Sequence, residues 1–468
     1  MEYVSTRGEA PGLGFRGVLM AGLASDGGLY VPLTWPSVSA KQISGFRGRP
    51  YADVAFEIVR LFVDGEIPDE ALHRMCVEAY ATFDDPRVAP LRKLRPDLYV
   101  LELFHGPTLA FKDVAMQLLA RMMDFVLAEN GERTTIVGAT SGDTGAAAIE
   151  AFRDRANVDV FILFPEGRVS PFQQRQMTTT GAANVRPIAI RGTFDDCQAI
   201  VKQLFGNAGL RRDLALSGVN SINWARIIGQ IVYYFTAAAE LGSPDRPVSF
   251  TVPTGNFGDI FAGYAAKRMG LPIAQLVIAT NVNDILARAL ATGRYDIHGV
   301  TPTTSPSMDI QVSSNFERLL WEACGRDGAA VRSMMADLQS NGMFSIGEPA
   351  LSAIRRDFMA GRADEAEVAA TIGGTYRETG FLPDPHTAVA LAVAGRFARP
   401  GIPMVALATA HPVKFAAAVK AAAGIEPQLP EGFGDILTKP ESYATLANDV
   451  RAVEDFIRAK TRAHAEKA

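Results

Sequence analysis

Lys112 is the residue of this chain whose surroundings most favour covalent chemistry. It lies in the segment Phe-His-Gly-Pro-Thr-Leu-Ala-Phe-Lys-Asp over residues 104–113, where apolar side chains precede a helical pattern. Because apolar surroundings disfavour a charged amine, we expect the pKa of Lys112 to be lowered and its free amine to be a nucleophile. Such an amine forms a Schiff base with an aldehyde. The alternative is a solvated lysine whose stem lies along apolar surface; the segments downstream favour the first interpretation.

Two glycine-rich segments follow strand-like runs and open helical patterns. The first reads Gly-Ala-Thr-Ser-Gly-Asp-Thr-Gly over 138–145, and the second reads Pro-Thr-Gly-Asn-Phe-Gly-Asp over 253–259. Small residues let a ligand approach the backbone, and amides at a helix start point at anions. Each segment therefore predicts a carboxylate or phosphate site, although each could be an ordinary strand-to-helix connection. Neither has the Walker or the dinucleotide glycine spacing. Gly255 is expected to permit a positive φ and a close approach.

Two further segments add polar side chains to this set. Thr409 ends an apolar run, where its hydroxyl could face a ring nitrogen of a ligand. His411, which precedes a proline, is typical of a structural residue at a helix start. Arg226 lies near the start of a helical pattern over 224–241. Its guanidinium could hold a phosphate with two hydrogen bonds, or it could form a surface ion pair.

The elements that must position these residues alternate between strand and helix. Short apolar runs occur at residues 134–137, 158–164, 185–190, 248–252, 273–280 and 404–408. Helical patterns separate them, so the sequence predicts an α/β fold of mostly parallel sheets with helices on both faces.

The chain divides into three predicted parts. Residues 1–95, with helical patterns over 51–62 and 68–80, form an N-terminal domain. Residues 96–430 form the catalytic α/β region in two lobes and include a more helical, charged segment at about 323–381. Residues 431–468 form a C-terminal helical tail, which we expect to fray over its charged end.

Composition limits the classes of partner. There are 46 Lys and Arg against 51 Asp and Glu, a net charge of −5, and no polybasic run, which argues against nucleic acid or an anionic membrane. Cys76, Cys197 and Cys324 have no metal-binding spacing and fit a reducing cytoplasm. No secretory leader or membrane-spanning run is evident.

Taken in order, these segments resemble the threonine synthase family of the long bacterial and fungal type. The segments that carry the resemblance are residues 5–8, 26–32, 104–113, 141–145, 220–226, 255–258, 305–310 and 409–415. The resemblance implies a pyridoxal-phosphate enzyme of fold type II, with an N-terminal domain. It also implies that the substrates are O-phospho-L-homoserine and water, and that the products are L-threonine and phosphate. From the cysteines we expect a cytoplasmic enzyme, and we expect a monomer or homodimer, between which the sequence does not decide.

The resemblance also implies a role for each matching residue. Lys112 takes the Schiff-base position and, once released, is the base at Cα. The residues implied to contact pyridoxal 5'-phosphate are Lys112, Asp143, Gly255, Asn256, Phe257, Gly258 and Thr409. The loop of Ser141, Gly142 and Thr144 is implied to hold the substrate carboxylate, and Thr108 is also expected to bind the substrate. Because the substrate phosphate needs a cationic partner near a helix start, our hypothesis assigns it to Arg226, with Ser221 and Asn223.

Asp143 departs from the residue that many relatives carry. They have Asn facing the phenolic oxygen of the cofactor, and an ionised Asp would repel a phenolate there. One of the two groups should therefore hold a proton. The Asp form belongs to the long subgroup, so it does not indicate loss of function.

Three other classes of function compete with this hypothesis, and the nearest is another pyridoxal-phosphate reaction on the same scaffold. The same lysine would serve a phospholyase that releases 2-oxobutyrate, or a β-replacement enzyme. A binding protein that kept the scaffold without activity is disfavoured by the presence of Lys112. A nucleotide-binding enzyme is disfavoured because the Walker and dinucleotide patterns are missing.

Overall fold

Residues 1–463 are described by the structure, a computed structural model. The strands are β1 (Tyr3–Ser5), β2 (Tyr30–Pro32), β3 (Leu91–Arg95), β4 (Leu98–Glu102), β5 (Thr134–Ala139), β6 (Val158–Pro165), β7 (Val185–Arg191), β8 (Leu216–Ser217), β9 (Val248–Pro253), β10 (Ile273–Thr280), β11 (Arg294–Asp296), β12 (Met343–Ser345), β13 (Phe358–Arg362), β14 (Met404–Ala408) and β15 (Ala444–Ala447). The α-helices are α1 (Phe15–Ala21), α2 (Ala40–Gly45), α3 (Tyr51–Val63), α4 (Asp69–Tyr80), α5 (Lys112–Asn130), α6 (Asp143–Phe152), α7 (Pro171–Thr178), α8 (Phe194–Gly206), α9 (Ala208–Asp213), α10 (Trp224–Glu240), α11 (Gly258–Arg268), α12 (Ile285–Thr292), α13 (Phe316–Ala323), α14 (Gly328–Asn341), α15 (Glu348–Asp357), α16 (Glu365–Thr379), α17 (Pro385–Phe397), α18 (Ala416–Ala423) and α19 (Val450–Lys460).

The larger sheet has six strands in the order β13-β10-β9-β14-β4-β3. All neighbours pair in parallel except β3 and β4, which pair antiparallel. Alternate residues of its strands enter two different cores: Val277 packs in the cluster that contains Val389 of α17, whereas Ile278 packs in the cluster that contains Phe261 of α11. Helices therefore cover both faces, which is why β9 and β14 are buried at every position and β14 is apolar throughout.

The second sheet has five parallel strands in the order β15-β7-β6-β5-β8. Its central strand β6 is buried at every position. Val160 faces the main core, and Phe161 faces a smaller core that contains Ile200 of α8 and Ile457 of α19. The predicted class of fold is confirmed, and each of the six predicted runs forms a strand: β5, β6, β7, β9, β10 and β14.

The N-terminal region packs on the helix that carries Arg226. Tyr3 of β1 and Phe62 of α3 lie with ring centroids 6.3 and 5.9 Å from the ring of Trp224, the first residue of α10. The hydroxyl of Tyr3 donates to the carbonyl of Phe62 at 2.6 Å. The ring of Phe261 in α11 lies 6.4 Å from that of Trp224, so the start of α10 is held between the N-terminal region and α11.

The structure differs from the predicted division of the chain in three respects. The division at 95/96 falls within the antiparallel pair β3–β4, so β3 belongs to the larger sheet. The helical segment 323–381 contains β13, the edge strand that pairs with β10. The C-terminal part is docked: β15 extends the smaller sheet, and α19 buries Val453 and Ile457. The last residues of the predicted frayed helix, 464–468, lie outside the described residues.

Within residues 1–463, no helix has the length and apolar character that crossing a membrane requires.

Candidate active site

Lys112 is the first residue of α5, and the turn before it is tied to the end of β14. The backbone N–H of Phe111 donates to the carbonyl of Thr409 at 2.9 Å, and that of His411 donates to Leu109 at 3.0 Å. Leu109 has φ of 60°, a left-handed conformation that a bulky residue rarely adopts. These bonds hold the strained turn in place, so Lys112 and Thr409 belong to one rigid unit.

Thr108 is used entirely by the chain itself. Its N–H and its hydroxyl both donate to the carboxylate of Asp113, at 2.8 and 2.7 Å. Its carbonyl accepts from Lys414 at 2.6 Å and from Gln176 at 2.9 Å. The geometry therefore favours a role for Thr108 in shaping the turn before Lys112, not the predicted contact with substrate.

The amine of Lys112 is enclosed and only partly neutralised. The residue is 8% exposed; its Nζ lies 4.7 Å from the ring centroid of Phe111 and 3.5 Å from Oδ2 of Asp143. Burial lowers the pKa of Lys112; Asp143 opposes this, while the positive charges of Lys414 and Arg226 lower the pKa further. The direction agrees with the expectation from the sequence, and it favours a free amine.

The loop after β9 offers backbone amides at the start of α11. Among the described residues, the N–H groups of 255–258 donate no hydrogen bond to the chain. The carbonyls are anchored: Ser313 donates to Gly255 at 2.6 Å, and the side chain of Asn315 donates to Asn256 at 2.9 Å. A loop with free amides and fixed carbonyls is suited to hold a phosphate at a helix start.

The strain in this loop lies at Phe257 and not at Gly255. Phe257 has φ of 63°, and its ring packs 5.3 Å from Phe316 and 5.7 Å from Phe358 between centroids. Gly255 is outside the left-handed region, so the expected positive φ is wrong for this residue. A Cβ at Gly255 would instead lie 2.6 Å from the carbonyl oxygen of Ser307. Glycine is therefore needed there for close packing of two backbones.

Gly255→Ala should weaken retention of a phosphate-bearing cofactor. One methyl group would push the loop away from Ser307 and misdirect its amides. We expect a loss of about 1.5–3 kcal/mol, or tenfold to a hundredfold in the dissociation constant measured by equilibrium dialysis. Gly395→Ala is the matched control, because its added methyl group meets nothing within 4 Å. Equal retention in both variants would show that this loop does not hold the phosphate.

The loop after β5 is shaped by Thr140. Its hydroxyl accepts from the N–H groups of Gly142 and Gly145, both at 2.9 Å. Gly142 has φ of 143°, and a Cβ there would lie 2.6 Å from the side chain of Gln173. Among the described residues, the hydroxyls of Ser141 and Thr144 have no hydrogen-bond partner. These two hydroxyls remain the predicted ligands of a substrate carboxylate.

Arg226 is buried without a counter-charge. It is 3% exposed, and its Nε has no partner within the described residues. The only hydrogen bond of its side chain there is a long one, 3.4 Å, to the carbonyl of Val219. Burial lowers the pKa of Arg226 to about 10. Because an unpaired buried charge is costly, this arrangement points to an anion that the folded chain does not supply.

Ser221 and Asn223 lie on the same turn, but their hydrogen bonds indicate different roles. The carbonyl of Ser221 accepts from Asn315, the residue that also anchors Asn256, so this turn adjoins the loop after β9. Asn223 caps α10 by accepting from Ala225, and it donates to Leu19, both at 2.9 Å. The geometry therefore favours a structural role for Asn223, whereas Ser221 remains a predicted substrate residue.

Asp143 lies between two buried lysines, one of which the sequence did not indicate. Its Oδ2 is 3.5 Å from Lys112, its Oδ1 is 3.0 Å from Lys414, and Gln173 donates to Oδ1 at 2.7 Å. Burial would raise the pKa of Asp143, but Lys414, and then Lys112, hold it well below its usual range. Asp143 is therefore a carboxylate whose charge is already balanced.

Asp259 is a second buried carboxyl group beside the site. Tyr233 and Tyr234 both donate to its Oδ1, while its Oδ2 has no partner within the described residues. Burial raises the pKa of Asp259 to about 6, and the charge of Lys112 opposes that rise. Its position directly after Gly258 was a signal in the sequence; the two tyrosines come from a distant helix.

The structure thus brings the predicted residues to the carboxyl ends of β5, β9 and β14, where open α/β sheets bind ligands. A buried amine with a lowered pKa suits an aldehyde, and the free amides of 255–258 suit its phosphate. Thr409 is 6% exposed, with no partner for its hydroxyl among the described residues. These groups fit pyridoxal 5'-phosphate, and fold and site together define a pyridoxal-phosphate-dependent enzyme of fold type II.

The family model for such enzymes matches residues 84–337. Models described as "Threonine synthase N terminus" and "Threonine synthase, C-terminal" match residues 2–80 and 387–457. The chain belongs to the threonine synthase family.

Individual relatives support this membership over the whole chain. The chain is 51% identical over 459 residues to threonine synthase of Pseudomonas aeruginosa, which covers 98% of both. It superposes on the crystal structure of PLP-bound threonine synthase from Brucella melitensis with a TM-score of 0.97 at 61% identity, covering 99% of this chain and 100% of that one. The crystal structure of threonine synthase from yeast gives 0.93 at 40% identity, with 98% of each chain covered.

Proposed function

We propose that this chain converts O-phospho-L-homoserine and water into L-threonine and inorganic phosphate, with pyridoxal 5'-phosphate carried by Lys112. The observation that carries the proposal is the buried, unpaired guanidinium of Arg226, whose charge acts on Lys112. A substrate that brings its own phosphate would supply the missing counter-charge. The names of the relatives, all threonine synthases, agree with this reaction.

The two glycine-rich loops take different anions in this proposal. The amides of 255–258 would hold the phosphate of the cofactor, and the hydroxyl of Thr409 would be the partner of its ring nitrogen. Ser141 and Thr144, with the amides of their loop, hold the carboxylate of the substrate. Arg226 and Ser221 then hold the substrate phosphate, which leaves during the reaction.

Lys112 moves the protons. When bound, the cofactor supplies an electron sink for the charge that develops as the substrate loses a proton. The free amine of Lys112, favoured by burial, takes the proton from Cα. Loss of a proton from Cβ then allows the bond from Cγ to the phosphate oxygen to break. Water adds at Cβ, and protons return to Cγ and Cα to complete L-threonine.

We also infer that the enzyme acts in the cytoplasm, as a monomer or homodimer. The three cysteines are free thiols, and Cys76 and Cys197 are buried. Free thiols are typical of a reducing compartment.

Product analysis tests the proposal directly. Purified protein loaded with the cofactor and given O-phospho-L-homoserine should release L-threonine and phosphate in equal amounts, measured by amino-acid analysis and a phosphate assay. Unphosphorylated L-homoserine is the control and should give neither product, because it lacks both the leaving group and the anion for Arg226. Release of 2-oxobutyrate as the main product would identify a phospholyase and overturn the proposal.

A further inference from the structure

Lys414 is a buried lysine that the proposed reaction does not use. It lies in a short 3-10 helix, Pro412–Phe415, and its side chain is 0% exposed. Its Nζ is 2.6 Å from the carbonyl of Thr108, 2.9 Å from Oε1 of Gln176 and 3.0 Å from Oδ1 of Asp143. Three acceptors match the three donors of an ammonium group. Because the group is enclosed and satisfied, any effect on the reaction passes through its neighbours.

Two buried lysines, Lys112 and Lys414, share the single carboxylate of Asp143. Asp143 is the carboxylate in contact with both lysines, and the shorter contact is with Lys414. Arg226 and Asp259 also act on Lys112, and His386 acts on Asp143. One carboxylate offsets only one of two ammonium charges. The position of Lys414 therefore decides how much of the charge of Asp143 remains to stabilise a proton on Lys112.

We propose that Lys414 is a positioning residue of the active site, which fixes the carboxylate of Asp143 on its own side and leaves Lys112 as the amine free to react with the cofactor. The inference rests on Lys112 as the cofactor lysine of the proposed function, and not on the identity of the substrate. Asp143 is held in the same place by Gln173. An unpaired carboxylate at Asp143 would repel the phenolate of the cofactor. Lys414 offsets that charge, so the Asp143–Lys414 pair would not.

A purely structural ion pair would behave differently. It would hold Asp143 and α7 against the turn at Thr108, and its loss would change stability alone. A positioning role additionally changes the pH at which Lys112 becomes reactive. The pH profile of covalent attachment of the cofactor separates the two, because attachment needs the neutral amine.

The experiment uses the full-length protein, stripped of cofactor and recombined with pyridoxal 5'-phosphate. The rate of covalent attachment, followed by absorbance, is measured against pH in the parent, Lys414→Met, Asp143→Asn and the double variant. We expect the midpoint to move to higher pH in Lys414→Met, because Asp143 then pairs with Lys112 alone. It should move to lower pH in Asp143→Asn and return towards the parent in the double variant. Lys420→Met, which removes the same charge from an exposed position, should leave the midpoint unchanged.

A Lys414→Met midpoint equal to that of the parent would overturn the proposal and leave a structural ion pair. If Lys414→Met does not fold, Asp143→Asn is compared with the double variant. The proposal then expects the higher midpoint in the double variant, and equal midpoints overturn it. Failure of the proposed function would look different: the parent would attach no cofactor at any pH, or would attach it without forming threonine.

Discussion

Replacing Lys112 with alanine should abolish turnover while leaving the fold intact. The loss should be on the order of a thousandfold or more, because both the covalent anchor and the base at Cα are removed. Alanine is accepted at the first position of α5, and Asp143 keeps its contact with Lys414 at 3.0 Å. The thermal midpoint of the variant should therefore stay close to that of the parent. Threonine formation and circular dichroism measure the two effects.

A second readout locates the covalent bond. After reduction with borohydride, mass spectrometry of the parent should show the mass of the cofactor on the peptide that contains Lys112, and the variant should show none. Lys414 is the informative alternative, since it is also a buried lysine beside Asp143. Modification at Lys414, or threonine made by Lys112→Ala at the parent rate, would contradict the assignment. The exposed Lys420 is the control: its alanine variant should keep full activity.

The sheets could be predicted because their strands carry a local signal. A parallel strand covered on both faces is a continuous apolar run, as in β6, where all eight residues are buried. The loops after β5 and β9 have glycine at the point where a strand meets a helix. Parallel strands align their carboxyl ends, so residues far apart in the chain were expected at one edge. That rule does not by itself bring the two loops together, because β9 belongs to the larger sheet and β5 to the smaller one; the place of Lys112 beside both loops was implied by the resemblance to the family.

The residues that tune the site had no such signal. Lys414 lies in a short segment, Pro-Val-Lys-Phe, in which a lysine would ordinarily reach solvent. Gln173 and Gln176 lie on α7, whose sequence is mostly polar although both side chains are buried. Their burial follows from contacts with Asp143 and Thr108, which are made only when the two loops come together. Tertiary contacts decide such positions, and neither composition nor periodicity records them.

Two of the predicted ligands have a structural role that the sequence did not indicate. Short polar residues at a helix start serve equally well as ligands and as caps. Thr108 and Asn223 were predicted to bind the substrate. Thr108 instead donates to the carboxylate of Asp113, and Asn223 accepts from the N–H of Ala225. The edge strand β13 was missed because it follows α15 directly, without a turn of glycine or proline to separate them.

Replacing Arg226 should have opposite effects on stability and on activity. A buried guanidinium without a partner lowers the stability of the protein as long as no substrate is bound. Arg226→Met should raise the stability of the unliganded protein by about 1–3 kcal/mol, measured as a higher thermal midpoint in buffer free of phosphate. It should also lower kcat/KM for O-phospho-L-homoserine by about 1.5–3 kcal/mol, which is tenfold to a hundredfold. The absorbance of the bound cofactor should not change, since the loop at 255–258 is untouched.

Arg318 provides a matched control for the predicted gain in stability, because it is a buried arginine whose hydrogen bonds are satisfied. It is fully buried as well, but it donates to the carbonyls of Tyr30 at 3.0 Å and Ile222 at 2.6 Å and to the side chain of Asn315. Arg318→Met should therefore destabilise the protein by about 2–4 kcal/mol, in the opposite direction to Arg226→Met, because it leaves buried acceptors without donors. Inorganic phosphate should raise the thermal midpoint of the parent and not that of Arg226→Met, whereas binding of an unphosphorylated amino acid should be equal in both. A loss of stability in Arg226→Met, an equal response to phosphate, or an equal loss of affinity for both kinds of ligand would assign Arg226 to the structure instead of the substrate.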